Sequence, residues 1–343
     1  MSERTLLRWW RAPLWLVQLA TGAKSFADNP ILGSETLNRR GLHVARLKLA
    51  HSLAWARRRR LAPRVPSEWR EQFDRDGFVE VRDFLPQDVF ARLQETLLTT
   101  EFDSRQQQQG DAITRRVPIG PALVAAVPEL RELLRSKPWR SLLAYVASTR
   151  AEPLYYLQTI LAGQAAGGPD PQLELHADTF HPSLKAWLFL TDVTDDQAPL
   201  TYVPGSHRLT PERIAWERAR SVAIAGSDRL SQRGSLRIAR EELANLKLPE
   251  PKRFAVPANT LVVIDTYGFH ARGSADGPHL RAEIWAYARR TPFVPWTGFD
   301  LLSIPPIAVR RAQWLPHLVD RLDRLGVRKQ HWQPAGRKRP IDP

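Results

Sequence analysis

"LELHADTFHPSLKAWLFLTDV", Leu173–Val193, is the stretch on which the reading of this chain turns. It divides into two strand-like runs, Leu173–Phe180 and Leu184–Val193, joined by a turn at His181-Pro182-Ser183. Side chains alternate across a strand, so residues i and i+2 share a face. His176 and Asp178 therefore look the same way, towards water or towards something that needs an imidazole beside a carboxylate. Such a pair is common by chance, and alone it reads as structural.

Working outward, the chain places helices first and short strands after them. Ser67 caps a helix over Glu68–Asp74, which Gly77 breaks, and "FVEVRDFL" alternates as a strand. A second helix spans about 87–100, "SRQQQQGD" is a polar loop, and "PELRELLRSKPWRSLLAYVAST" is a helix interrupted at Pro138. Strand character follows in "LYYLQTIL" (154–161), "PLTYVPGSH" (199–207), "TLVVIDTYGFH" (260–270) and "RAEIWAYAR" (281–289), the last two joined by a turn at Asp276-Gly277-Pro278. Residues 208–256 are charged and partly helical, an insertion or lid. No regular strand–helix alternation and no glycine-rich phosphate loop occurs, so a doubly wound nucleotide fold is set aside. The pattern favours a β-sandwich or jelly roll with helical additions, in the α+β class.

Three regions follow: a basic, Trp-rich extension (1–64), a main domain (65–295) and a basic tail with one helix near Val309–Leu325 (296–343). Of the net charge of +14, residues 1–64 carry +10 and 305–343 carry +6, leaving a nearly neutral body. No cysteine is present, which excludes disulfides, thiolate catalysis and Cys-type zinc sites. The uncharged run Ala12–Ala23 would span about 18 Å as a helix, short of the roughly 30 Å membrane core. It fits a signal peptide only loosely, since Gln18 interrupts it and no small-x-small site follows. Trp9, Trp10 and Trp15 among Arg4, Arg8 and Arg11 suit a lipid headgroup region better. "GLHVARLKLAHSLAWARRRR" (41–60) reads either as a helix packed on the main domain with a solvated basic end, or as a peripheral contact with anionic membrane. A nucleic-acid arm ranks third, for lack of a binding motif.

His270 closes a β-branched run, and Arg281 stands eleven residues on. A hairpin would bring Arg281 back beside the His270 strand. His176, Asp178 and His270 have the composition of a facial triad that holds non-haem Fe(II) with open positions. A keto acid such as 2-oxoglutarate could occupy two of these and O2 the third. Its far carboxylate would need a buried guanidinium, which Arg281 supplies.

"DGFVEVRDFL", "HAD", "LFLTDVTDDQAPLTYVPGSH" and "FHARGSADGPHLR" together resemble the phytanoyl-CoA dioxygenase family of Fe(II)- and 2-oxoglutarate-dependent oxygenases, over about residues 67–292. The resemblance implies a double-stranded β-helix (jelly-roll) core, iron on His176, Asp178 and His270, and the co-substrate anchored by Arg281. It implies that Trp187 lines the co-substrate pocket and that Gln158 is a polar pocket residue. The family's hydroxyl residue two after the distal histidine is Arg272 here, which leaves Ser274 or a water as the substitute. His181, His207 and His279 read as non-ligands. A carboxylate at 178 fills the place a halide would need and favours hydroxylation over halogenation. The expected activity is hydroxylation of a small molecule, lipid-linked or at a membrane surface, by a cytoplasmic enzyme. Two rivals stay open: a non-redox metal hydrolase or isomerase on the same ligands, and a non-catalytic jelly-roll module recruited to membrane or nucleic acid by its basic ends.

Overall fold

The computed structural model describes residues 9–163, 167–168, 170–275, 277–298 and 305–342. Arg4 and Arg8 of the expected headgroup segment, and Asp276 of the expected turn, lie outside the described residues. The strands are β1 Phe78–Val81, β2 Phe102–Gln109, β3 Ala112–Pro118, β4 Leu154–Ala162, β5 Leu184–Phe189, β6 Leu200–Tyr202, β7 Lys252–Arg253, β8 Leu261–Asp265, β9 His270–Arg272, β10 His279–Ala288 and β11 Gln333–Lys338. They form a large antiparallel sheet, β1-β8-β5-β10-β4-β3-β2-β11, and a small one, β7-β6-β9. This is a jelly-roll core with flanking helices.

Alternation divides the large sheet into two environments. Leu157, Ala186, Leu188, Val263, Ala282, Ile284 and Ala286 point outward and are buried under helices by Phe73, Leu93, Leu130, Trp139 and Leu142. Trp187, Phe189, Val262, Ile264 and Trp285 point inward and meet Leu200, Tyr202, Phe254 and Val256 from the opposite layer. Both faces are covered, which explains why these strands read as nearly continuous apolar runs. The helix Ser67–Asp76 stops at Gly77, whose φ of +84° is left-handed and whose missing Cβ leaves room for Tyr202 and His207.

Several expectations are corrected. Leu173–Phe180 is not a strand, and only His176 makes bridges, to Arg237 and to His270. Its backbone N–H groups serve different partners: His176 bonds the His270 carbonyl, Ala177 that of Leu236 and Asp178 that of Thr266. The second run ends as a strand at Phe189 rather than Val193. The glutamine-rich stretch is strand β2, because β3 and β11 supply ladder partners on both sides. The run 260–270 breaks after Asp265, so His270 lies in the small sheet while Arg281 lies in the large one. The two lie in different layers and not in one hairpin. Ser67 opens its helix without a side-chain cap, and the break between helices Pro128–Arg135 and Lys137–Ala147 falls at Ser136, with Pro138 in the first turn of the second. The tail helix spans Pro305–Arg324 and is followed by the unforeseen edge strand β11.

The N-terminal extension packs on the core through the helix Leu42–Leu61. Its basic end is not simply solvated. Arg57 is buried against the carbonyls of Ser148, Pro292 and Val294, and Arg58 pairs with buried Asp265 at 2.7 Å. Arg46 closes the carbonyls of Leu19, Thr21 and Ala23. The preceding helix Ala12–Leu19 leaves Leu14, Leu16 and Val17 exposed, with Trp10 just before it.

Candidate metal centre

His176 and Asp178 keep the shared direction expected of an i, i+2 pair, and the bridge between His176 and His270 brings the second imidazole to them. One donor atom from each of the three lies within 4.8 Å of the other two, and His176 Nε2 and His270 Nε2 both stand 3.6 Å from Asp178 Oδ1. The Nδ1 atoms of His176 and His270 face the carbonyls of Glu174 (2.8 Å) and Gly268 (2.9 Å). A carbonyl can only accept, so Nδ1 carries the proton and Nε2 keeps its lone pair for a metal. Burial pushes His176 down to about 4, which keeps it neutral as a ligand must be.

Burial opposes the charge on Asp178, but Lys185 holds it well below the usual carboxylate range. Lys185 Nζ sits 2.8 Å from Asp178 Oδ2. With that oxygen occupied, Oδ1 is left facing the imidazoles, which suits one-atom ligation. The donor set and its tautomers thus fit a divalent non-haem metal. Lys185 was not foreseen, although Trp187, its i+2 neighbour, was placed on the pocket side.

Polar residues of the same sheet form a chain across three strands. Register aligns Arg116 of β3 with Gln158 of β4 and Glu283 of β10. Arg116 Nε donates to Gln158 Oε1 (2.7 Å), Gln158 Nε2 to Glu283 Oε1 (2.6 Å), and Arg281 Nε to Glu283 Oε2 (2.8 Å). Arg281 also donates from Nη1 to the Ala198 carbonyl at 2.7 Å, and its Nη2 makes no hydrogen bond among the described residues. Arg116 lies 4.0 Å from the Trp285 ring and 4.6 Å from that of Trp332, and burial lowers it to about 10. Its two Nη nitrogens likewise have no hydrogen-bond partner among the described residues. Gln158 is therefore a link between a guanidinium and a carboxylate. Trp187 lies on the inner face opposite Trp285. Ser274 is exposed and contributes its carbonyl to Ala198, while Arg272 pairs with buried Asp170 at 2.6 Å. His181 and His207 are buried outside the ligand set.

Two imidazoles and one carboxylate converging inside a jelly roll define a mononuclear metal protein of the cupin-like class. The family model for phytanoyl-CoA dioxygenase matches residues 73–270, more than half of the chain, and the chain belongs to that family. Iron and 2-oxoglutarate, the cofactors expected from the resemblance, go with that membership. No curated protein sequence matches. Solved structures of similar fold include the 2-oxoglutarate-dependent epimerase SnoN of nogalamycin biosynthesis, at 19% identity over 68% of this chain and 91% of that one, TM-score 0.44. HygX from Streptomyces hygroscopicus, with nickel and 2-oxoglutarate bound, shares 16% identity over 65% and 86%, TM-score 0.43. EctD from S. alaskensis with bound iron shares 19% over 65% and 76%, TM-score 0.39.

Proposed function

We propose that the protein is an Fe(II)- and 2-oxoglutarate-dependent dioxygenase that hydroxylates a small molecule. The observation that carries this reading is the convergence of His176, Asp178 and His270, with both Nε2 atoms 3.6 Å from one carboxylate oxygen and Lys185 Nζ 3.4 Å from His270 Nε2. Bound iron with 2-oxoglutarate and O2 would supply the oxidant for a C–H bond, the keto acid leaving as succinate and carbon dioxide. The chain's own residues bind, orient and exclude water. Lys185 fixes the Asp178 carboxylate, and Trp187 and Trp285 wall the inner face.

Glu283 already balances Arg281, so Arg281 alone does not answer a second carboxylate. Arg116, which lacks a carboxylate partner among the ion pairs of the described residues, completes the charge for the far end of the co-substrate. A non-redox hydrolase or a plain binding module would give buried Arg281 and half-buried Arg116 no ligand to hold. Membrane contact through Trp10, Leu14, Leu16 and Val17 is a further part of this reading, and cytoplasmic residence fits the supply of Fe(II) and keto acid. Deleting residues 9–19 should abolish sedimentation with anionic liposomes; unchanged sedimentation removes the membrane from the account.

The test of the activity is incubation with Fe(II), 2-oxoglutarate and O2 in a metabolite extract. A product one oxygen atom heavier, formed with equal succinate and lost in Asp178→Ala, is expected. Product formation that persists without 2-oxoglutarate contradicts the reading.

A further inference from the structure

The rim of the metal centre narrows the choice of substrate. Lys185 faces Tyr287 across the β5–β10 ladder, and Arg289 follows Tyr287 by two residues just past the strand end. Continued alternation puts Arg289 on the inner face that carries Arg281, Glu283, Trp285 and Tyr287. From the N-terminal segment, Lys24 reaches in to donate to the backbone carbonyl of Asp178, while Arg289 donates to the carbonyl of Gly22. Arg237, whose backbone bridges to His176, closes the group.

Four cations thus gather, and the carboxylates that answer them among the described residues are Asp178, Glu174 and, beside Arg237, Asp228. Asp178 is the metal's own ligand, and Glu174 pairs with Arg237 at 3.1 Å. Lys24 and Arg289 form no ion pair with a carboxylate among the described residues; Lys24 donates to a backbone oxygen with the Asp178 charge nearby, and Arg289 meets a backbone oxygen and the phenol of Tyr287. Lys24 sits among Arg289, Lys185 and Arg237, whose charges repel its own. Loading the site does not relieve this crowding. The far carboxylate of 2-oxoglutarate is answered by Arg116, so the co-substrate would bring no spare negative charge to the rim and the surplus there persists. Uncompensated charge on half-buried Lys24 is unfavourable until an anion arrives.

We propose that the substrate carries an anionic group, a carboxylate or a phosphate or sulfate ester, held at this rim by Arg289 and Lys24 with its reacting carbon turned to the metal. This deepens the oxygenase reading and rests on it. Arg289 is exposed and accessible from solvent, whereas Lys24 is half-buried behind it. The N-terminal segment is then part of the substrate site rather than an appendage.

The test is calorimetric titration of the anaerobic Fe(II)·2-oxoglutarate protein with benzoate, phenyl phosphate, phenyl sulfate, benzamide and benzylamine. At least one anion should bind saturably and about tenfold or more tighter than benzamide, with benzylamine silent. The member that binds tightest separates carboxylate from phosphate and sulfate ester. Arg289→Gln and Lys24→Met should each erode the preference by about tenfold, and Arg289→Lys should restore most of it. Benzamide binding as tightly as the anions, no anion binding at all, or an intact preference in Arg289→Gln overturns the proposal. Failure of the wild-type protein to form its iron–keto-acid charge-transfer band overturns the oxygenase reading instead.

Discussion

Arg281 and Glu283 share one face of β10 and form an ion pair at 2.8 Å, which on the proposed reading decides what a dicarboxylate would meet. Glu283→Gln leaves Arg281 as a buried charge without its carboxylate, so the free protein should melt earlier. The same change removes a competing anion, so 2-oxoglutarate should bind more tightly and restore the lost melting temperature. Thermal shifts with and without 2-oxoglutarate check both halves, and weaker binding in this variant would contradict the charge argument. Arg116→Ala and Arg281→Ala should each raise the 2-oxoglutarate Kd about tenfold or more, measured by the same titration. Part of this site is legible in the chain. Period-two alternation announces His176 with Asp178, and it equally places Glu283 beside Arg281 and Lys185 beside Trp187. Arg116 and Lys24 gave no such signal, because nothing local says that β3 or the N-terminal segment closes on the same cavity.

At the scale of elements, the helix Leu42–Leu61 is fastened to the barrel by polar groups as much as by apolar ones. Arg58 joins it to Asp265 at the end of β8. Arg58→Met removes one partner of a fully buried pair and should destabilise the protein by about 3 to 5 kcal/mol, read by denaturant unfolding. A loss under about 1 kcal/mol would mean that the pair acts like a surface bridge. A run of four arginines looks like a solvated end because composition carries no burial information, and the distant carbonyls that receive Arg57 are invisible in the sequence. The helices and long apolar strands were legible from their periods. Strands β2 and β11 were not, since glutamine-rich and Pro-Gly segments become strands here only through the ladder they share.

Taken whole, the molecule buries histidines that its metal-free form must keep neutral. His51, packed 4.2 Å from the Tyr267 ring, is held at about 3 by burial and then by Arg58 and Arg213. Its unfolded value is about 6.5. Between those limits the unfolded chain takes up a proton that the native protein refuses, so stability rises with pH across the window and falls as the solution is acidified. Within it each pH unit is worth about 1.4 kcal/mol per such group. The metal-free protein should therefore lose melting temperature from pH 7 to pH 5, and His51→Phe should lose less over the same range. An identical slope in the variant would show that His51 titrates normally.

The most direct measurement is the visible spectrum of the anaerobic protein with Fe(II), before and after adding 2-oxoglutarate. A weak charge-transfer band that saturates with the keto acid, vanishes in Asp178→Ala and needs more keto acid in Arg281→Ala is the predicted result. A wild-type spectrum that stays featureless at saturating 2-oxoglutarate would contradict the account.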